Sequence, residues 1–357
     1  MRIDLKNLNN RGAGLNMQGR FEKISYETFH DGWELEEEIQ THKTQVREEI
    51  ANSILTTNDS PDIPFETSIN PYRGCEHGCI YCYARPNHSY VNLSPGLDFE
   101  SILFAKVNAA AILKKEFQRK NYIPKVIALG ASTDPYQPIE KKFEITRNIL
   151  KTCLSFQHPI GIVTKSSLVE RDIDILQKLA EKNLVRVYIS VTSLDNKLTR
   201  VLEPRTPTGA RRLETIHKLS QALVPVGVMT APIIPFLNDK EMEEILEKSN
   251  IMGAKTAGYV MLRLPYEVKE LFKDWLDRNF PEKKSHIMNL IKSMRNGLEN
   301  SKEFGERMTG TGNYAELIRN RFKLATRKLG MNKESKPLSL DQFRKLELGE
   351  SLFDFIS

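Results

Sequence analysis

Between Phe65 and Pro265 the chain alternates short apolar, β-rich runs with longer segments of helical period, and that alternation leaves few folds open. The runs lie at 126–130, 160–164, 185–191, 226–234 and 258–262. Helix-like segments fall at 101–119, 140–153, 169–182, 209–223 and 239–252. Within 169–182, Ile173, Leu176, Leu179 and Ala180 mark one apolar face. Strands apolar on both faces, each followed by a helix, make a parallel sheet with crossover helices. With one more short strand expected beside the start of this region, the count is about six strand and helix units, an α/β fold arranged as a partial (β/α)6 barrel. Reactive groups in such sheets collect at the C-terminal strand ends.

Three of the four cysteines stand within eight residues, in Asn70-Pro-Tyr-Arg-Gly-Cys75-Glu-His-Gly-Cys79-Ile-Tyr-Cys82-Tyr83. A C-x3-C-x2-C loop turns three thiolates toward one point, and soft thiolate sulfur selects iron–sulfur clusters, zinc or copper(I). A cubane cluster has four irons, so three cysteines leave one iron open. A zinc site completed by His77, His88 or Cys153 is the other arrangement these residues allow. A disulfide is not expected, since three clustered cysteines do not pair evenly and nothing else points to an oxidising compartment.

The spacing, with Tyr81 before the last cysteine, resembles the signature of radical S-adenosylmethionine (SAM) enzymes. That resemblance implies a [4Fe-4S] cluster on Cys75, Cys79 and Cys82, with the open iron chelated by the amino and carboxylate groups of SAM. One electron then cleaves SAM to methionine and a 5′-deoxyadenosyl radical, which abstracts hydrogen from a substrate. The family is built as an open barrel of the kind read above, and it needs an electron donor such as flavodoxin or ferredoxin.

The strand ends carry the remaining candidates. Ala131-Ser-Thr-Asp134 closes the second strand with small residues, hydroxyls and a carboxylate, and Thr133 or Asp134 also suits the cap of a strand-to-helix turn. Lys165 follows the third strand in Val163-Thr-Lys165, either snorkelling outward or aimed at an anion. Ser190-Val-Thr-Ser193 ends the fourth, with Ser190 and Thr192 on one pleat face. Ala231-Pro-Ile233 ends the fifth, where proline stops a ladder. Glu203 and Arg205 share a polar loop and would bind substrate or each other. Over residues 65–265 these strand ends resemble the branch of the family that contains spore photoproduct lyase, a DNA-repair enzyme. By that resemblance Ser132 and Asp134 meet the amino group of SAM, Lys165 its carboxylate, Ser190 its ribose, and Ala231 its adenine, with Tyr81 packing beside it. The lyase uses a cysteine on the second strand end to return a hydrogen atom; Ala131 stands there in this chain, so the resemblance stops short of the lyase reaction.

The barrel is flanked by an irregular N-terminal arm with a short helix over 1–64 and by a helical extension over 266–357. In that extension Ile318, Phe322, Ala325 and Leu329 form an apolar stripe over 314–329, with Asn313 as N-cap and Gly330 as stop. The formal charge of +6 is uneven, since residues 283–346 hold fifteen Lys plus Arg against six Asp plus Glu. Such a segment suits nucleic-acid phosphates, or is a solvated helix face. The N-terminus lacks the apolar core of a signal peptide, and no apolar run reaches the roughly 18 residues of a membrane helix. The cytoplasm is therefore the expected compartment, with no membrane partner. The expected function is a radical SAM enzyme acting on a substrate the sequence does not identify, with nucleic-acid repair or modification and a non-catalytic zinc or iron–sulfur protein as alternatives.

Overall fold

The structure, a computed structural model, describes residues 11–21, 43–333 and 336–346. Among the described residues ten strands form two sheets: β1 (Gln45–Glu49), β2 (Leu55–Thr57), β3 (Thr67–Ile69), β4 (Tyr72–Arg73), β5 (Ile102–Lys106), β6 (Ile127–Leu129), β7 (Ile160–Thr164), β8 (Val185–Ser190), β9 (Val226–Ile233) and β10 (Thr256–Met261). The larger sheet has the order β10-β9-β8-β7-β6-β3-β2. Its neighbours from β3 to β10 are all parallel, and β2 joins antiparallel at the edge. Six parallel strands joined by helical crossovers are the partial barrel that the alternation implies. Residues such as Ile160, Ile162, Val185 and Val187 are fully covered, as expected where helices shield the sheet. The helix Ile173–Glu181 buries Ile175, Leu176 and Leu179. Each fully buried side chain of this size contributes roughly 1.5–3 kcal/mol of transfer free energy.

Several boundaries differ from the sequence reading, each for a local reason. Residues 101–119 are not one helix. Ile102–Lys106 is a strand whose Leu103 and Ala105 point inward, in a second sheet of order β1-β5-β4, and the helix proper is Ala109–Phe117. Ile102, Ala105, Ala109 and Ile112 mimic a helical period, but Asn108 breaks it by bonding both backbone groups of Ala51 at 3.0 Å. The segment 140–153 divides at Glu144, whose φ is 51°, into Glu140–Phe143 and Ile145–Ser155. Glu140 caps the second helix by accepting from Thr146 N at 2.9 Å. The last helix is Gly312–Lys328, with Thr311 rather than Asn313 at the N-cap position, because Gly310 and Gly312 at φ 75° turn the chain into it two residues earlier. The short helix expected within 31–56 falls partly outside the described residues, and the described part is β1 and β2.

The flanking segments pack on the barrel. Gly12 N and Ala13 N each donate to the Glu100 carboxylate at 2.9 Å, which seats residues 11–21 behind the cysteine loop. Cys79, Ile80 and Tyr81 of that loop share a core with Leu264, Val268, Leu271, Phe272 and Trp275. The two edges of the large sheet are also tied together. Met261 N donates to Met308 O at 2.8 Å, and Arg307 donates to Asp62, in the loop after β2, at 2.7 and 2.5 Å.

Part of the C-terminal positive charge is paired, Arg321 with Glu243 at 2.7 Å and Lys284 with Asp277 at 2.6 Å. Asn332 N donates to Lys255 O at 3.0 Å, so the helix end carrying Arg327 and Lys328 lies beside the start of β10. The strand ends that form the mouth are about 20 Å away along the six residues of β10. Among the described residues no helix is long and apolar enough to cross a membrane.

Candidate active site

The cysteine loop leaves the C-terminal end of β3 and is shaped by its glycines. Gly74 and Gly78 take φ values of 73° and 66°, a region that disfavours side chains. A Cβ on Gly78 would stand 2.8 Å from a Glu100 oxygen. Cys75 N donates to Phe99 O at 2.9 Å, and Cys82 N to Cys79 O at 3.2 Å. Behind the loop Arg85, with no exposed surface, donates to Cys79 O at 2.9 Å and Gly78 O at 3.1 Å and pairs with Glu100. The loop carbonyls thus point back into the protein.

All four cysteines are free thiols. Burial pushes the Cys79 thiol well up and, with Cys75 nearby, Cys82 up to about 11. Such thiols ionise on binding metal, so the donor set fits a thiolate-ligated group. Among the described residues no group of three or more His, Cys, Asp or Glu side chains is arranged to hold a single metal ion. A cubane asks something different, since each cysteine takes a different iron. Of the fourth ligands considered for zinc, His88 is hydrogen-bonded to Ile102 O at 2.9 Å and Cys153 is buried in the main core. His77 lies 3.4 Å from Asp134. Burial alone would lower His77, but Asp134 and Cys75 outweigh it and raise it to about 10.

The strand ends form one network facing the loop. Lys165 Nζ donates to Ser190 Oγ at 3.0 Å and stands 3.7 Å from Glu203. Ser190 and Thr192 hydroxyls donate to Ala231 O at 3.1 and 3.2 Å. Tyr81 donates to Glu203, with Lys165 Nζ 5.8 Å from its ring centroid. Lys165, Ser190, Ala231 and Tyr81 are therefore brought together. Asp134 is a strut: it accepts from Tyr136 N at 2.9 Å, Thr164 Oγ1 at 2.6 Å and Lys165 N at 2.8 Å. Burial would raise this carboxyl, yet His77 and those donors hold it down to about 2. Ser132 is half-buried beside it, its backbone N–H on Asn70 at 2.9 Å.

Residues 69–248, about half of the chain, match the model of the radical SAM superfamily. The chain belongs to the radical SAM superfamily. It is 34% identical over 232 residues to an uncharacterized protein of Mycobacterium tuberculosis, covering 64% of this chain and 68% of that one. An uncharacterized protein of Methanocaldococcus jannaschii is 30% identical over 221 residues, 62% of this chain and 79% of the relative. Among solved structures, spore photoproduct lyase complexed with dinucleoside spore photoproduct aligns with a TM-score of 0.60 at 15% identity, covering 82% of each chain. A mutant of that lyase with bound AdoMet and dinucleoside spore photoproduct gives 0.60 at 16%, again over 82% of each chain. At such identity the likeness is one of fold.

In this radical SAM protein Glu203 and Arg205 each find a partner other than the other. Glu203 pairs with Arg212 of the helix Gly209–Gln221, while Arg205 reaches Glu76 at 3.2 Å. Glu203 and Arg205 therefore do not bind each other. Sequence reasoning also missed Arg85, Glu100, Arg212, Tyr83 and Arg263. Only Arg263 left a usable signal, as a cation just past an apolar strand, the same signal that singled out Lys165.

Proposed function

We propose that the protein is a radical SAM enzyme whose Cys75, Cys79 and Cys82 hold a [4Fe-4S] cluster and whose strand ends hold SAM beside it. The reading is carried by one observation: the cysteine loop after β3 faces a connected Lys165–Ser190–Ala231 network at the ends of β7, β8 and β9. Lys165 would meet the SAM carboxylate, Ser190 the ribose, Ala231 the adenine edge, and Ser132 the amino group, with Tyr81 packing along it. Asp134 would act by holding Lys165 in place, and Asn70 by holding Ser132. When bound, the cluster and SAM supply reductive cleavage of SAM and a hydrogen-abstracting radical. The chain's own residues orient SAM and, through the core of Cys79, Tyr81 and Trp275, keep water from it.

Residues 65–265 would carry this chemistry, with 1–64 and 266–357 as supports. An electron donor of the flavodoxin or ferredoxin kind would reduce the cluster. Ala131 offers no thiol at the end of β6, so the reading stops at hydrogen abstraction from a substrate. Nucleic-acid repair or modification is supported by the fold shared with the lyase.

Anaerobic reconstitution is expected to give about four irons per chain and, with reductant and SAM, 5′-deoxyadenosine. Cys79→Ala should abolish both. A protein that binds one zinc and no iron, or holoprotein that yields no 5′-deoxyadenosine, would sink the reading.

A further inference from the structure

Arg263 leaves the C-terminal end of β10, the end at which the cysteine loop, Lys165 and Ser190 also stand. Its guanidinium lies 5.7 Å from the ring centroid of Tyr83. Tyr83 follows Cys82, and its hydroxyl donates to Ala131 O at the end of β6. Arg263 is thus placed over the cluster loop, across the mouth from the SAM network. It is poorly partnered. Its Nε is buried with no hydrogen bond, and Nη1 has a 3.6 Å contact with the Met308 sulfur, a weak acceptor.

Its surroundings add charge of the same sign. Arg295, 2% exposed, donates to Leu262 O at 3.0 Å and Glu306 O at 2.8 Å, fixing the backbone just before Arg263, and its own Nε has no partner. Arg307 is next to Arg263 and takes Asp62 at 2.7 and 2.5 Å, while the Glu306 carboxylate acts on Arg295. Burial and Arg307 lower Arg263, while burial and Arg263 lower Arg295 to about 10. Three guanidiniums against two carboxylates, Asp62 and Glu306, with two orphaned Nε–H groups, form a site short of an anion. Leaving such donors unpaired is costly; carboxylate and phosphate both meet the planar fork of arginine with two bonds, but a phosphate keeps further oxygens for a second guanidinium at the rim.

We propose that Arg263, held by Arg295 and rimmed by Arg307, binds a phosphate group of the substrate at the barrel mouth. This rests on the radical SAM reading, and it narrows the substrate to a phosphate ester. The SAM carboxylate is not the anion meant, since Lys165 serves it three strands away in the sheet order.

The test uses the anaerobically reconstituted full chain saturated with SAM, so that the SAM carboxylate site is filled. Binding of inorganic phosphate, a dinucleoside monophosphate and acetate is measured by calorimetry at constant ionic strength. Both phosphate probes should bind, acetate much more weakly. Arg263→Gln should weaken phosphate binding ~10- to 100-fold and Arg263→Lys by less, because the charge stays and the fork is lost. Lys323→Gln, exposed on the last helix, should leave binding unchanged. Equal binding by wild type and both Arg263 variants, acetate binding as tightly as phosphate, or no binding of either phosphate probe would overturn the assignment. Failure to form 5′-deoxyadenosine would instead sink the radical SAM reading, so the two failures are separable.

Discussion

Glu203 has no exposed side-chain surface, yet it carries its charge. It accepts from Tyr81, Thr192 and Arg212 and lies near Lys165. Burial would raise the carboxyl, but Arg212 and Lys165 outweigh it and hold it down to about 2. Glu203 therefore stays ionised and fixes both the Tyr81 ring and the Lys165 ammonium, two groups proposed to line SAM. Removing one partner of a buried pair leaves the other charged and unsolvated. Glu203→Ala should cost about 3–5 kcal/mol of stability, read by anaerobic urea unfolding, because Arg212 is stranded at 1% exposure. A loss below about 1 kcal/mol would mean that Arg212 finds another acceptor. In the sequence, Glu203 stood out as a polar residue in a proline-rich loop, but its partner did not. Arg205 was the nearer arginine, and only the turn of the next helix brings Arg212 inward.

At the scale of elements, the strap of residues 11–21 shows how an irregular segment supports a reactive loop. At two points it lies backbone against backbone. A Cβ on Gly12 would stand 2.0 Å from Gly78 O, and one on Gly96 would stand 2.0 Å from Leu15 O. Gly78 is itself part of the cysteine loop, and Glu100 links it to the strap through Gly12 N and Ala13 N. Gly12→Ala should push the strap away, with the roughly 1–3 kcal/mol penalty of overpacking. Iron content after reconstitution should fall, and amide exchange over residues 74–85 should quicken. Unchanged exchange with full iron content would show that the strap is dispensable to the loop. No periodicity announced this element, because Gly12 and Gly14 act through the absence of side chains. The strands at 160–164, 185–190 and 226–233 were legible for the opposite reason: Ile160 and Ile162, Val185, Val187 and Ile189, and Val226 and Val228 are buried on one face, and that burial writes itself into composition. The strand Ile102–Lys106 was hidden, since its inward Leu103 and Ala105 also suit a helix that starts seven residues later.

The whole molecule depends on a clasp across the opening between the two ends of the large sheet. Met308 lengthens the β10 edge, and Arg307 and Gly305 bind Asp62 beyond β2. Nothing local in the sequence paired Asp62 with a residue so far along the chain, and proline and glycine flank both sides. The hydrogen bond from Arg307 lowers the Asp62 carboxyl from its ordinary value. A depressed carboxylate stabilises the fold only while ionised. Its contribution is complete above the unfolded value, about 4, and is lost as the pH falls through the lower folded value. Asp62→Asn should therefore lower the unfolding midpoint of the full chain at pH 7, and the gap from wild type should narrow as the pH drops below about 4. Amide exchange over residues 300–311 should rise in the variant at pH 7, reporting an opened clasp. A gap that stays constant from pH 7 down to about 3 would show that the charge of Asp62 is not what closes the sheet, and that packing of Met308 against β10 is sufficient.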